Sequence, residues 1–310
     1  MPALVRSFLL RRFLLLLPVL LGVCTLVFAF IHLIPGDPVQ VMLGDGANAA
    51  DVADLRSQLG LDRPLLDQYG HFIRGLAAGN LGSSFRFREP VFSLILSRYP
   101  ATLLLALTSM LLACLLAFPA GILAAANRGT MIDRMATTLS LLALSLPNFW
   151  VGPVLILLFA VHWNLFPVSG MDEPLSIVLP SLSLGAAMAA ILARMIRASL
   201  AEEISSVYGT AALARGVRRW TVVLRHSLKN ALIPIVTVLG IQTGTLLTGA
   251  VITETIFGWP GLGRLTVQAI ETRDYPLVQG CVLMIAITYL FVNLLTDIAY
   301  AVMDPRIRYA

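Results

Sequence analysis

The chain holds 310 residues, of which 58% are hydrophobic and only 13% charged, too few charges to cover a soluble domain of that length. Several stretches reach the roughly 20 apolar residues that a helix needs to cross a bilayer, and they are apolar on all sides, which argues against a β-barrel of alternating strands. The net charge of +5 comes from basic residues beside these runs, so it reads as membrane topology and not as nucleic-acid binding.

In chain order, Arg6, Arg11 and Arg12 precede an apolar run from Phe13 to Ile31. That run outlasts a signal-peptide core and no A-x-A site follows it, so a retained first span is expected. Backbone groups in lipid must bond within their own segment, which makes the expected fold class an all-α polytopic membrane protein. Six transmembrane helices fall at about 13–34, 102–126, 135–161, 177–197, 233–253 and 278–300, in one transmembrane domain over 1–310. With the N-terminus inside, the cytoplasmic segments hold fourteen Lys and Arg, and the two short outer loops hold only Arg264 and Arg273. The six arginines of segment 35–101 count little, because segments that long cross largely regardless of charge. Both termini are therefore expected in the cytoplasm.

Three segments outside the spans carry pattern. The extracytoplasmic loop 35–101 opens on the rigid turn Pro35-Gly36-Asp37-Pro38. A helix from Asp51 to Leu59 follows, then another from Pro64 with Leu65, Leu66, Tyr69, Phe72, Ile73 and Leu76 on one face. Asn80-Leu81-Gly82-Ser83 ends it, and the segment is a folded cap. The cytoplasmic loop 198–232 carries the dense basic cluster Arg215, Arg218, Arg219, Arg225 and Lys229. Two short helices, Ser206 to Arg215 and Arg218 to Asn230, hinge at Gly216, which sits where a helix-ending glycine would; Pro234 opens the fifth span. In the outer loop from Glu254 to Gly263, three glycines and a proline predict irregular chain, with Trp259 and Tyr275 suited to the membrane interface.

The chemistry of a site is sparse. Cys24, Cys114 and Cys281 lie inside apolar runs with no CxxC or His/Cys cluster, so neither a disulfide framework nor a metal is expected. Lys229 is followed by Asn230 and lacks a glycine-rich loop, so the chain has no P-loop and no cofactor of its own. No HExxH or GxSxG occurs, and His32, His71, His162 and His226 are scattered, which speaks against a membrane-embedded enzyme. Polar residues within spans are costly unless they meet water or another helix. Ser145, Asn148, Gln242, Thr243, Thr245, Thr248, Tyr289 and Asn293 are thus candidates either for the solute path or for interhelical hydrogen bonds. Pro147 should kink the third span beside Asn148. Span centres free of charge argue against an ion-coupled carrier.

Five segments, in order, resemble the membrane permeases of binding-protein-dependent ABC importers of the dipeptide, oligopeptide, glutathione and nickel type. They are Pro35-Gly36-Asp37-Pro38; Leu179-Pro180-Ser181-Leu182-Ser183-Leu184-Gly185; Thr210-Ala211-Ala212-x-x-x-Gly216 with His226-x-x-x-Asn230-Ala231-x-x-Pro234; Phe257-Gly258-Trp259-Pro260-Gly261-Leu262-Gly263 followed by Arg273-Asp274-Tyr275-Pro276; and the ending Asp304-Pro305-Arg306-Ile307-Arg308-Tyr309. The resemblance covers nearly the whole chain. It implies a type I ABC importer permease of the bacterial inner membrane, forming half of a path for peptides or a related small solute. It further implies a second homologous permease, two ATPase subunits that hold ATP and magnesium, and an extracytoplasmic solute-binding protein. The ATPase-coupling residues it implies are Tyr208, Thr210, Ala211, Ala212, Arg215, Gly216, Arg219 and His226; the binding-protein contacts are Asp37, Tyr69, Phe72 and Trp259. The chain departs from the family just before the coupling alanines. Relatives show an acidic, an aromatic and a basic residue there, whereas Ser206-Val207-Tyr208-Gly209-Thr210 has neither charge. The rival reading is a stand-alone secondary transporter or channel, which would work without an ATPase.

Overall fold

A computed structural model describes residues 15–29, 39, 43, 48–58 and 60–303. Eleven helices of eight or more residues follow in chain order among them: α1 (Leu15–Ala29), α2 (Ala49–Gln58), α3 (Leu65–Ala77), α4 (Val91–Ala126), α5 (Met131–Ser145), α6 (Asn148–Leu155), α7 (Val178–Ser205), α8 (Val207–Ala214), α9 (Leu228–Ile256), α10 (Leu262–Glu271) and α11 (Tyr275–Met303). A wide π-helical segment, Ile156–His162, continues α6, and another, Val222–Ser227, leads into α9. The fold class is all-α, as expected; β structure among the described residues is one isolated bridge between Ser83 and Pro90.

Among the described residues, four helices are long and apolar enough to cross a membrane, and a fifth span is added if α5 and the α6 segment count together. α4 has 36 residues and so runs about 54 Å, well beyond a bilayer core of about 30 Å. Its start at Val91 precedes the expected span start near 102.

The chain divides into two compact units. The first joins Met1–Thr102 to Pro260–Leu290. Its core gathers Val91, Ile95, Leu262, Leu265, Ala269, Leu277 and Cys281. α10 supplies three of these at helical spacing, and the Leu262 N–H donates to Thr102 Oγ1 at 2.7 Å. The expected irregular chain runs from Phe257 to Gly261; only its edges differ, since α9 continues to Ile256 and α10, with Gly261 as N-cap, takes in Leu262 and Gly263. Asp274, fully buried, binds this unit together. It accepts hydrogen bonds from Ser84 Oγ, from the Arg86 N–H at 3.1 Å and from the Leu277 N–H at 3.3 Å.

The second unit joins Leu103–Trp259 to Phe291–Ala310. Its core is a stripe of small and aliphatic residues, with Ala117, Ala125, Leu192, Ile196, Leu200, Val223 and Ile235 fully or nearly fully buried. Small residues let its helices approach closely, the usual route to helix association where lipid offers no hydrophobic drive. A Cβ on Gly185 of α7 would stand 2.7 Å from the Ser109 carbonyl oxygen of α4, and one on Gly121 would stand 2.7 Å from Ile196 Cβ. Thr108 and Ser181 join the same two helices through hydroxyls 2.8 Å apart.

Two expectations for the spans are corrected in this unit. Instead of a kink, the third span breaks: α5 and the α6 segment are bent by 103°. Leu146 and Pro147 both adopt extended backbone, since proline disfavours helical geometry in the residue before it and brings no N–H of its own. Pro234, expected to open the fifth span, lies inside α9. Membrane helices tolerate an internal proline where neighbouring groups satisfy the freed carbonyl.

Candidate functional site at the α7–α8 elbow

α7 gives way to α8 at Ser206. Ser206 is extended and caps α8: its Oγ accepts from the Gly209 N–H at 3.2 Å and donates to the Glu203 carbonyl at 2.7 Å. Gly209 is buried in the bend, and a Cβ there would overlap the carbonyl oxygens of Glu203 and Ile204.

α8 ends as the sequence predicts. Gly216 adopts φ +80°, while the Val217 N–H bonds the Ala212 carbonyl at 3.2 Å and the Gly216 N–H bonds the Leu213 carbonyl at 2.9 Å. This pair of bonds is a Schellman cap, and the positive φ is the reason a glycine stands there.

On the outer face of α8, Val207 is 87% exposed and Tyr208 is also exposed. Thr210, Ala211, Arg215, Gly216 and Arg219 are exposed beside them, and Ala212 is buried against the body of the unit. His226 returns to the elbow from the π segment: its Nδ1 donates to the Thr221 carbonyl at 3.2 Å, and its ring lies 5.9 Å from that of Tyr208. Asn230 closes the base, its amide donating to Glu203 Oε2 at 3.2 Å. All eight residues singled out for coupling thus gather on one small feature with an exposed, low-profile face. Large apolar residues that the chain itself leaves uncovered mark a place where another surface sits.

A profile of the binding-protein-dependent transport system inner membrane component matches residues 117–309, and the N-terminal profile of the same systems matches residues 5–106. The chain belongs to this family of transport permeases. The dipeptide transport system permease protein DppB of Escherichia coli strain K12 is 42% identical over 98% of this chain and 99% of its own length. The glutathione transport system permease protein GsiC of Escherichia coli O6:H1 is 43% identical over the same shares. A chain from inward-facing crystals of the MetNI methionine ABC transporter superposes with a TM-score of 0.59 at 19% identity, covering 68% of this chain and 96% of that one. A second crystal form of MetNI gives 0.56 at 20% identity. The permease therefore has the ABC importer permease fold and is a multi-pass inner-membrane protein.

The remaining residues singled out from the sequence are dispersed over the permease. Ser145 is exposed and bonds its own helix at the Leu141 carbonyl. Thr243 is half-buried, bonds the Leu239 carbonyl and lies 3.6 Å from Met110 Sδ, so it serves helix contact. Gln242 and Asn293 are half-buried, while Thr245 and Tyr289 are exposed. Asn148 and Thr248 fall in α6 and α9, with side chains outside the described set. Asp37 lies outside the described residues.

The other three residues expected to meet a binding protein have neighbours within the chain. Trp259 is only 1% exposed, so its indole is no surface feature. Tyr69 and Phe72 turn toward α1: the Tyr69 hydroxyl is 2.7 Å from Thr25 Oγ1, and both rings pack on Phe28.

One strong pair has no counterpart in the sequence pattern. Arg197 of α7 donates from Nε and an Nη atom to the two carboxylate oxygens of Asp133, both at 2.8 Å, and the Gly129 N–H adds a third bond at 2.9 Å. Hydropathy alone puts both residues near the same ends of their spans; a separation of 64 positions hides the pairing.

Proposed function

We propose that this permease forms half of the translocation path of an ATP-driven importer for peptides or a closely related small solute. Six spans place both termini and the 198–232 segment in the cytoplasm and the 35–101 segment outside. The α8 elbow seats an ATPase subunit that holds ATP and magnesium. A second homologous permease completes the path, and an extracytoplasmic binding protein delivers the solute.

The observation that carries this reading is the elbow itself. A short, glycine-stopped helix with exposed Val207 and Tyr208, rigidly capped at both ends, has the form of a part that fits a groove on another protein. Small residues at Ala211 and Gly216 keep its profile low. The names of the dipeptide and glutathione relatives favour a peptide-like cargo.

The test is transport in proteoliposomes. Uptake of a labelled dipeptide should need the second permease, ATPase subunits, binding protein and ATP together. Uptake by this chain alone, driven by an ion gradient, would establish the stand-alone carrier instead. A reporter fused after Ala310 should read as cytoplasmic, and a periplasmic signal would overturn the topology.

A further inference from the structure

We propose that α3 is an interfacial helix whose apolar face lies in the acyl chains of the outer boundary of the membrane, beside α1. The placement rests on the topology proposed above, in which α1 belongs to the first span and leads outward. α1 (Leu15–Ala29) covers about 22 Å, less than a core about 30 Å thick, and Thr25 and Phe28 stand in its last turn and a half. Both residues therefore lie toward the outer side of the core.

α3 touches α1 at these two levels. Tyr69 reaches Thr25 with its hydroxyl, and Tyr69 and Phe72 set their rings 5.3 and 5.9 Å from that of Phe28. Their side chains therefore sit beside the outer part of α1, the level at which an amphipathic helix lying in the interface buries its apolar face.

The side chains that protein leaves uncovered agree. Leu65 is 58% and Leu66 is 83% exposed, at helical spacing from Tyr69, Phe72 and Ile73. They continue the exposed apolar surface of α1, where Leu15, Leu17, Val19, Leu21 and Leu26 are open. The opposite face carries Asp67, His71 and Arg74 and is organised for water. His71 bonds the Asp67 carbonyl at 2.9 Å and meets Arg63 at 3.3 Å, while Gln68 donates to the Arg63 carbonyl at 2.8 Å. Lipid is the occupant that fits: it matches Leu65 and Leu66 without asking for a polar partner, and it is already required by α1.

The experiment is nitroxide accessibility in the full-length protein in phospholipid nanodiscs. Leu66→Cys and His71→Cys are labelled in a background carrying Cys24→Ala, Cys114→Ala and Cys281→Ala. The label at 66 should collide with oxygen in preference to a water-soluble nickel chelate, and the ratio should reverse at 71. A label at 66 that favours the nickel chelate, or is shielded from both, overturns the proposal in favour of solvent or of a protein cover. Should the cysteine-free background misfold, benzoylphenylalanine placed at 66 in the otherwise unaltered chain probes the same contact. Photolysis should attach phospholipid, and attachment to protein alone would refute the placement.

Discussion

Asp133 and Arg197 make the sharpest test of how the second unit is held. The Asp133 side chain is 6% exposed and that of Arg197 33%, so the two partners do not lose equally when separated. Arg197→Ala leaves a buried carboxylate whose described bonds shrink from three to the one from Gly129. Breaking a fully buried pair costs about 3–5 kcal/mol; the open side of Arg197 lowers that, and about 2–4 kcal/mol is expected. Asp133→Ala leaves a guanidinium that reaches water through its exposed third. It also loses the acid in the first turn of α5, a favourable place against the helix dipole. About 1–2 kcal/mol is expected there. Reversible unfolding in mixed detergent micelles measures both, and the double variant should cost no more than Arg197→Ala because it leaves no stranded carboxylate. Equal losses, or a larger loss for Asp133→Ala, would show that the pair is not clamped and solvated as argued.

Gly185→Val should destabilise the fold by about 1–3 kcal/mol in the same assay, because its branched side chain would start 2.7 Å from the Ser109 carbonyl oxygen. Gly209→Ala should loosen the elbow without abolishing insertion, seen as reduced ATPase coupling at normal expression, since the added methyl meets the carbonyls of Glu203 and Ile204. Gly216→Asn should retain most uptake because asparagine tolerates a positive φ, whereas Gly216→Arg should uncouple hydrolysis from uptake; equal behaviour of the two would refute the close-docking account. Ser84→Ala removes a donor from the fully buried Asp274 and should cost about 1–3 kcal/mol in thermal stability.

Much of this is legible in local pattern. Pro64 announces α3, the face from Leu65 to Leu76 gives its polarity, and Gly216 marks the end of α8 because few other residues accept its backbone. The glycines and proline between Phe257 and Gly261 do interrupt the helix, but they also set its edges: Gly258 ends α9 and Gly261 begins α10. Leu262, Leu265 and Ala269 recur at helical spacing just beyond, a signal that the glycines outweigh. Pro147 suggests a kink, yet an extended Leu146 before it is what a proline favours. Other features have no local trace at all. The Asp133–Arg197 fork and the Gly185–Ser109 approach join distant positions, and nothing in either segment states its partner.

The elbow matters only if force applied to α8 reaches the spans, and its construction bears on that. α7 is one helix of 28 residues, about 42 Å, with no break between Leu179 and Glu203. Its length is pinned at three levels: against α4 at Gly185, by the fork to Asp133 at Arg197, and to the root of α9 through Glu203 and Asn230. Close-packed contacts of this kind move together, because a packed interior transmits strain with little compression. The junction with α8 adds no slack, since the Ser206 cap and the buried Gly209 fix the angle at which α8 leaves. The π segment Val222–Ser227, with Val222, Val223 and Ser227 fully buried, brings His226 against Tyr208 from the other side. A push on α8 would therefore turn α7 as a rigid rod.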